Sequence, residues 1–111
     1  SLKAVRRSKK SAYHITEALK HMGTFYWSID KQQKALKWWN RSIVNGERIG
    51  TRLELSRTYF EVGKRLSEPK CKFKKLNGIN AEGYLSIAKE MFIEMDLQWD
   101  LDELERIVAY R

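Results

Sequence analysis

The chain has 111 residues, 42% hydrophobic and 32% charged, with 22 Lys and Arg against 14 Asp and Glu for a net charge of +8. That length suits one small domain with a modest core, and the aromatic content with a single Pro argues against a disordered chain. No apolar run nears the roughly 20 residues of a transmembrane helix, and the lone Cys71 excludes an intrachain disulfide, so a cytoplasmic protein without membrane contact is expected.

The charge is uneven: residues 1–80 sum to +13 and residues 81–111 to −5. At the start, "KAVRRSKK" over residues 3–10 places Arg6, Arg7, Lys9 and Lys10 together, as a contact for phosphates or an acidic surface or as a solvated helix end. Ser1 in place of Met points to a piece of a longer protein. Residues 15–29 then carry two apolar stripes, Ile15/Leu19/Met22/Tyr26 and Ala18/Phe25/Ile29, so this helix is expected to pack on two sides. In residues 35–46 the apolar or small positions Ala35, Trp38, Trp39, Ser42, Ile43 and Gly46 follow the i, i+3, i+4, i+7 spacing of one helix face. Lys34, Lys37, Asn40 and Arg41 fall opposite, so both tryptophans are expected in the core, not on a base-stacking platform.

Residues 49–66 repeat the two-sided pattern, with Ile49/Leu53/Ser56/Phe60 beside Leu55/Tyr59/Val62/Leu66. "SEPKCKFKKLNGIN", residues 67–80, holds the only Pro and reads as a loop. Residues 81–95 give a clean amphipathic helix through Ala81, Tyr84, Leu85, Ala88, Met91, Phe92 and Met95. "WDLDEL" predicts a last helix over about 100–109, with Asp100 as cap, Glu103 closing a capping box and Trp99 packing on Leu104. No stretch alternates with period two for long enough to make a strand.

An internal repeat organises these helices. "MGTFYWSID" over "LSRTYFEVG" aligns Met22 with Leu55, Gly23 with Ser56, Tyr26 with Tyr59 and Trp27 with Phe60, 33 residues apart. Ala35, Trp38, Trp39 and Ser42 align with Ala81, Tyr84, Leu85 and Ala88, 46 apart. The large–small–x–x–Tyr motif followed by Ala-x-x-x-aromatic-x-x-small resembles the tetratricopeptide repeat, at Leu19, Met22, Gly23, Tyr26, Ala35, Trp39 and Ser42 and again, with Leu85 in the aromatic place, at Leu55, Ser56, Tyr59, Ala81, Leu85 and Ala88. The family implies an all-α, single-domain solenoid of antiparallel helix-turn-helix units. Repeat one would span about 16–48 and repeat two about 49–95 with a loop insertion at 67–80, closed by the helix over 100–109. The second unit also resembles helical-repeat regions of large bacterial multidomain ATPase and nucleotide-cyclase signalling proteins.

Phosphate loops, dinucleotide fingerprints and metal-binding Cys/His groupings are missing from the sequence. His14 and His21 lack a third ligand, Cys71 among Lys70, Lys72, Lys74 and Lys75 lacks a partner base, and the acidic run from Glu94 to Glu105 lacks calcium-loop spacing. No enzyme activity and no cofactor are therefore expected. What the family implies instead is a scaffold for protein–protein interaction, with a groove lined by Glu17, Lys20, Thr24, Trp27 and Ser28 and by Leu53, Arg57, Phe60 and Glu61. Within it the partner contacts would be Lys20, Thr24, Trp27, Arg57 and Phe60, Lys20 and Arg57 meeting carboxylates of an acidic partner and Trp27 and Phe60 giving apolar contact. Other domains of a parent chain or a second copy could supply a missing layer. Nucleic-acid binding by the basic two-thirds, or a spacer role in a signalling enzyme, is the alternative.

Overall fold

The computed structural model describes the backbone of residues 2–110 and the side chains of residues 14–110; the Arg6, Arg7, Lys9 and Lys10 side chains lie outside that range. Its helices are α1 (Leu2–Ser28), α2 (Gln32–Ile49), α3 (Arg52–Leu66), α4 (Ala81–Glu94) and α5 (Gln98–Ala109). A short antiparallel ribbon, β1 (Lys75–Leu76) and β2 (Ile79–Asn80), pairs Lys75 with Asn80 and Leu76 with Ile79. The chain forms two compact units, Ser1–Leu55 and Ser56–Arg111. Among the described residues no helix is long and apolar enough to cross a membrane.

Three of the helices end in the same way, and the ends set the connections. After α1, Asp30 adopts φ 62°, its amide donates to the Trp27 carbonyl and the Lys31 amide donates to Tyr26. After α4, Asp96 at φ 56° repeats this, donating to Ile93 while Leu97 donates to Phe92. Both are Schellman ends, in which a left-handed residue lets the orphan carbonyls of the last turn find donors. After α2, Gly50 at φ 73° and Thr51 both donate to the Gly46 carbonyl. That left-handed turn separates α2 from α3 inside what the apolar stripe drew as a helix from residue 49.

The first unit is a tight α1–α2 hairpin. Its centre is Trp39, fully buried, whose indole lies across Gly23 and donates Nε1–H to the Lys20 carbonyl at 3.1 Å. A Cβ at position 23 would fall 2.2 Å from the Trp39 ring, so only Gly permits this approach. One side of Trp39 is closed by Trp27, with centroids 5.7 Å apart. Nearer the other end of the hairpin, buried Thr16 holds three segments together. Its hydroxyl donates to Asn45 Oδ1 at 2.6 Å and lies 3.0 Å from the Thr51 hydroxyl, while its carbonyl accepts from Ser42 Oγ at 2.8 Å. With the Thr16 proton committed to Asn45, Thr51 becomes the donor to Thr16.

This packing corrects the expected core face of α1. Residues buried toward α2 are Thr16, Gly23 and Trp27, whereas Ile15, Met22, Phe25 and Ile29 are exposed. Close backbone approach, set by the indole over Gly23, favours small and hydrogen-bonding residues at the seam and turns the most apolar stripe outward. Thr16→Val preserves shape but strips the hydroxyl from a buried network. We expect a loss of about 1–3 kcal/mol, read as a lower urea midpoint with unchanged slope.

The second unit joins α3, the ribbon, α4 and α5. Ala88, Phe92 and Leu104 form its centre, with Tyr59, Phe60, Leu97 and Leu101 packed around them. Tyr59 stacks on Tyr84 at 5.9 Å and Phe60 meets Phe92 edge-on at 6.0 Å. Gly63 lies against Leu85, where a Cβ would meet side-chain and backbone atoms at 2.8–3.0 Å. Gly63, packed on Leu85 as Gly23 is on Trp39, lies 40 residues after Gly23, whereas Ser56 in the sequence alignment lies at 33. The difference of seven residues is close to two helical turns, so both registers put the same face forward.

Residues 67–80 are more ordered than a plain loop. Asn77 and Gly78, at φ 54° and 78°, form the two-residue turn of the ribbon, the left-handed pair that Asn-Gly favours. The Tyr84 hydroxyl donates to the Leu76 carbonyl at 2.6 Å, and Asn80 caps α4 by accepting from the Gly83 amide at 2.8 Å. Arg65 clasps Glu61 at 2.6 Å and Glu68 at 2.7 Å where α3 ends. Burial works against its charged form, but the Glu61 charge and the hydrogen bonds to Glu68 and Glu61 outweigh it and raise its pKa.

Candidate functional site

The five residues expected to contact a partner divide between the units. Lys20, Thr24 and Trp27 belong to the first; Arg57 and Phe60 belong to the second. Lys20 and Thr24 are half-buried, and Thr24 Oγ1 donates to the Lys20 carbonyl at 3.3 Å, the same carbonyl that takes the Trp39 indole proton. Trp27 is only 2% exposed, so its ring is core to the hairpin and presents no apolar face outward. Phe60 is half-buried against Phe92.

Arg57 has a carboxylate partner inside the chain. Its Nε and Nη2 reach the two oxygens of Asp100 at 3.0 and 3.3 Å, a fork-on-carboxylate pair. Asp100 is buried and sits in the first turn of α5, whereas Leu97 is the residue preceding that helix. The aspartate expected to cap the last helix is therefore an ion-pair partner. Trp99, expected to staple onto Leu104, is 70% exposed.

Trp38 also departs from expectation, being half-buried. Its ring stacks on Tyr26 at 6.3 Å and lies 4.7 Å from the Arg41 guanidinium, while Lys34 Nζ is 5.2 Å from the Tyr26 ring centre. These cation–π contacts set Lys34 and Arg41 of α2 over the Tyr26 and Trp38 rings. They also engage the tryptophan that would otherwise offer a stacking face.

Two of the hollows in the second unit lie beside α4. The first, about 430 Å³, lies between α4 and α5 and is lined by Leu85, Leu104, Val108 and Ala109, with Glu82, Lys89 and Glu105 on its edges. An apolar floor with a predominantly acidic rim suits an apolar anchor carried beside a cation. The second, about 580 Å³, is lined by Leu66, Ser67, Lys74, Lys75, Asn80, Ala81 and Glu82. Lys70, Lys72, Lys74 and Lys75 are exposed along this connection, and Cys71 is half-buried with Sγ–H donating to the Phe73 carbonyl at 3.2 Å. His14 and His21 are exposed, and His21 lies 3.3 Å from Glu17 on its own helix. Among the described residues no group of three or more His, Cys, Asp or Glu is placed to hold a metal ion.

The α4–α5 groove escaped the sequence reading because its floor residues belong to different helices. Leu85 and Leu104 were legible as apolar positions, but nothing local signals that Val108 stays open beside them. Comparison with protein-family models, curated proteins and solved structures returns no match for this chain.

Proposed function

We propose that the chain is a non-catalytic helical-repeat module, tetratricopeptide-like in plan, that binds a protein or peptide partner. What carries this reading is one contact made twice: a glycine of the first helix lying beneath a large side chain of the second, Gly23 under Trp39 and Gly63 under Leu85. A repeated hairpin of this kind builds surface by addition and serves recognition. The partner surface we favour is the α4–α5 groove rather than the set of Lys20, Thr24, Trp27, Arg57 and Phe60, since Trp27 is buried and Arg57 is already bonded to Asp100. The partner shifts accordingly from an acidic segment to one with an apolar anchor next to Lys or Arg.

Selection of a displayed peptide library on the chain at physiological salt tests this. Enriched peptides are expected to carry that pairing and to bind Val108→Asp at least tenfold more weakly, a change of about 1.4 kcal/mol. Val108 is exposed at the groove, so the variant should melt as the parent does. Peptides that bind both forms equally would remove the groove from the proposal. Nucleic acid is the second reading, favoured by the exposed lysines of residues 70–75. It predicts sub-micromolar oligonucleotide binding at the same salt, a condition at which merely electrostatic contacts fade.

A further inference from the structure

The apolar stripe that α1 turns away from α2 has a regular spacing. Ile15, Ala18, Met22, Phe25 and Ile29 alternate steps of three and four, the a/d seam of a helix made to pair with another helix in a left-handed crossing. All five are exposed: Ile15 45%, Met22 36%, Phe25 53% and Ile29 46%, with Ala18 open between them. Scattered exposed side chains need no explanation, but these make one contiguous strip on the order of 400 Å², the size at which a surface patch is commonly an interface.

The geometry points to a second copy of this chain as the occupant, its α1 laid antiparallel on the first. Three observations converge on that choice. The positions flanking the seam are Leu19 and Tyr26 on one side and His14, His21 and Ser28 on the other. None is Lys, Arg, Asp or Glu in a chain that is 32% charged. Two copies at +8 each repel in general, and this strip is where they can meet without setting like charges together. The seam is also self-complementary in one direction only. Antiparallel pairing centred on Met22 sets small Ala18 of one copy over bulky Tyr26 of the other, Phe25 over Leu19 and Ile15 over Ile29, so knobs meet holes. Parallel pairing would set Ala18 on Ala18 and Phe25 on Phe25, leaving a void beside a clash. Finally, a standard interface of about 800 Å² per partner, somewhat over half of it non-polar, needs roughly 450 Å² of apolar surface from each side. The strip supplies about that much.

Sedimentation of the whole chain tests the proposal. Its mass is expected to rise with concentration from 13.2 kDa toward twice that value. Phe25→Asp should weaken self-association at least tenfold while its helical circular dichroism and melting stay near those of the parent. Val44→Asp, at an exposed site on α2, should leave association unchanged. Orientation is read by oxidation in a Cys71→Ser background. Met22→Cys should cross-link across the twofold axis, and Ile15→Cys should cross-link only when mixed with Ile29→Cys. A chain that stays monomeric to several hundred micromolar, or a dimer indifferent to Phe25→Asp, overturns the proposal. Efficient Ile15→Cys homodimers overturn the antiparallel arrangement.

Discussion

Trp39→Ala is expected to lower stability by about 3–5 kcal/mol, enough to leave the first hairpin largely unfolded at physiological temperature. The indole is fully buried, fills the space over Gly23, touches Trp27 and donates to the Lys20 carbonyl. Removing it opens a cavity that the stiff α1–α2 seam cannot close. Its partner Gly23→Ala tests the same contact from the other side. A helical Gly→Ala change ordinarily gains about 1 kcal/mol, but here the new methyl would lie 2.2–2.8 Å from the ring. The net effect is a loss of roughly 1–3 kcal/mol from overpacking. In the Trp39→Ala background that sign reverses, because the ring that obstructs the methyl is gone. Chemical unfolding of the four chains gives the coupling directly. Additive losses would show that Gly23 and Trp39 do not meet as described.

Arg57→Ala is expected to cost about 2–4 kcal/mol, more than Asp100→Ala. The asymmetry follows from which partner is buried. Asp100 has its side chain 5% exposed, so losing the guanidinium leaves a carboxylate in the interior. Arg57 is 37% exposed and can turn to water when Asp100 is removed. Thermal melts of the two single variants decide the order. Equal or reversed losses would mean that the pair is a surface contact of little weight.

How much of this was legible in the sequence depended on what each residue's neighbours contribute. α2 and α4 were readable because their buried residues are the large ones: Trp39 and Ile43, then Tyr84, Leu85, Met91 and Phe92, all at helical spacing. α1 was readable as a helix but not as to which side faces in. Its inner face is Thr16, Gly23 and Trp27, and a hydrophobicity count gives Gly and Thr no weight even where they permit the closest packing. The alignment paired Gly23 with Ser56, but the glycine packed against the following helix in the second unit is Gly63, and a shift of seven residues keeps a helix face unchanged. Asp100 followed the capping-box pattern, but α5 starts at Gln98, which moves Asp100 inside the helix and next to Arg57. The ribbon had a local signal in Asn77-Gly78. Its two-residue strands are too short for alternation to register, so the turn chemistry alone could have announced it.

The proposed role comes down to which molecules contact the α4–α5 groove. Titration of the ¹⁵N-labelled chain at physiological salt, with a library-selected peptide and separately with a single-stranded 20-nucleotide probe, maps the contact residue by residue. The peptide is predicted to shift the amides of Leu85, Ser86, Leu104, Glu105 and Val108, with no comparable change from the oligonucleotide. Shifts confined to residues 70–75 with the oligonucleotide, and none in the groove with the peptide, would contradict it.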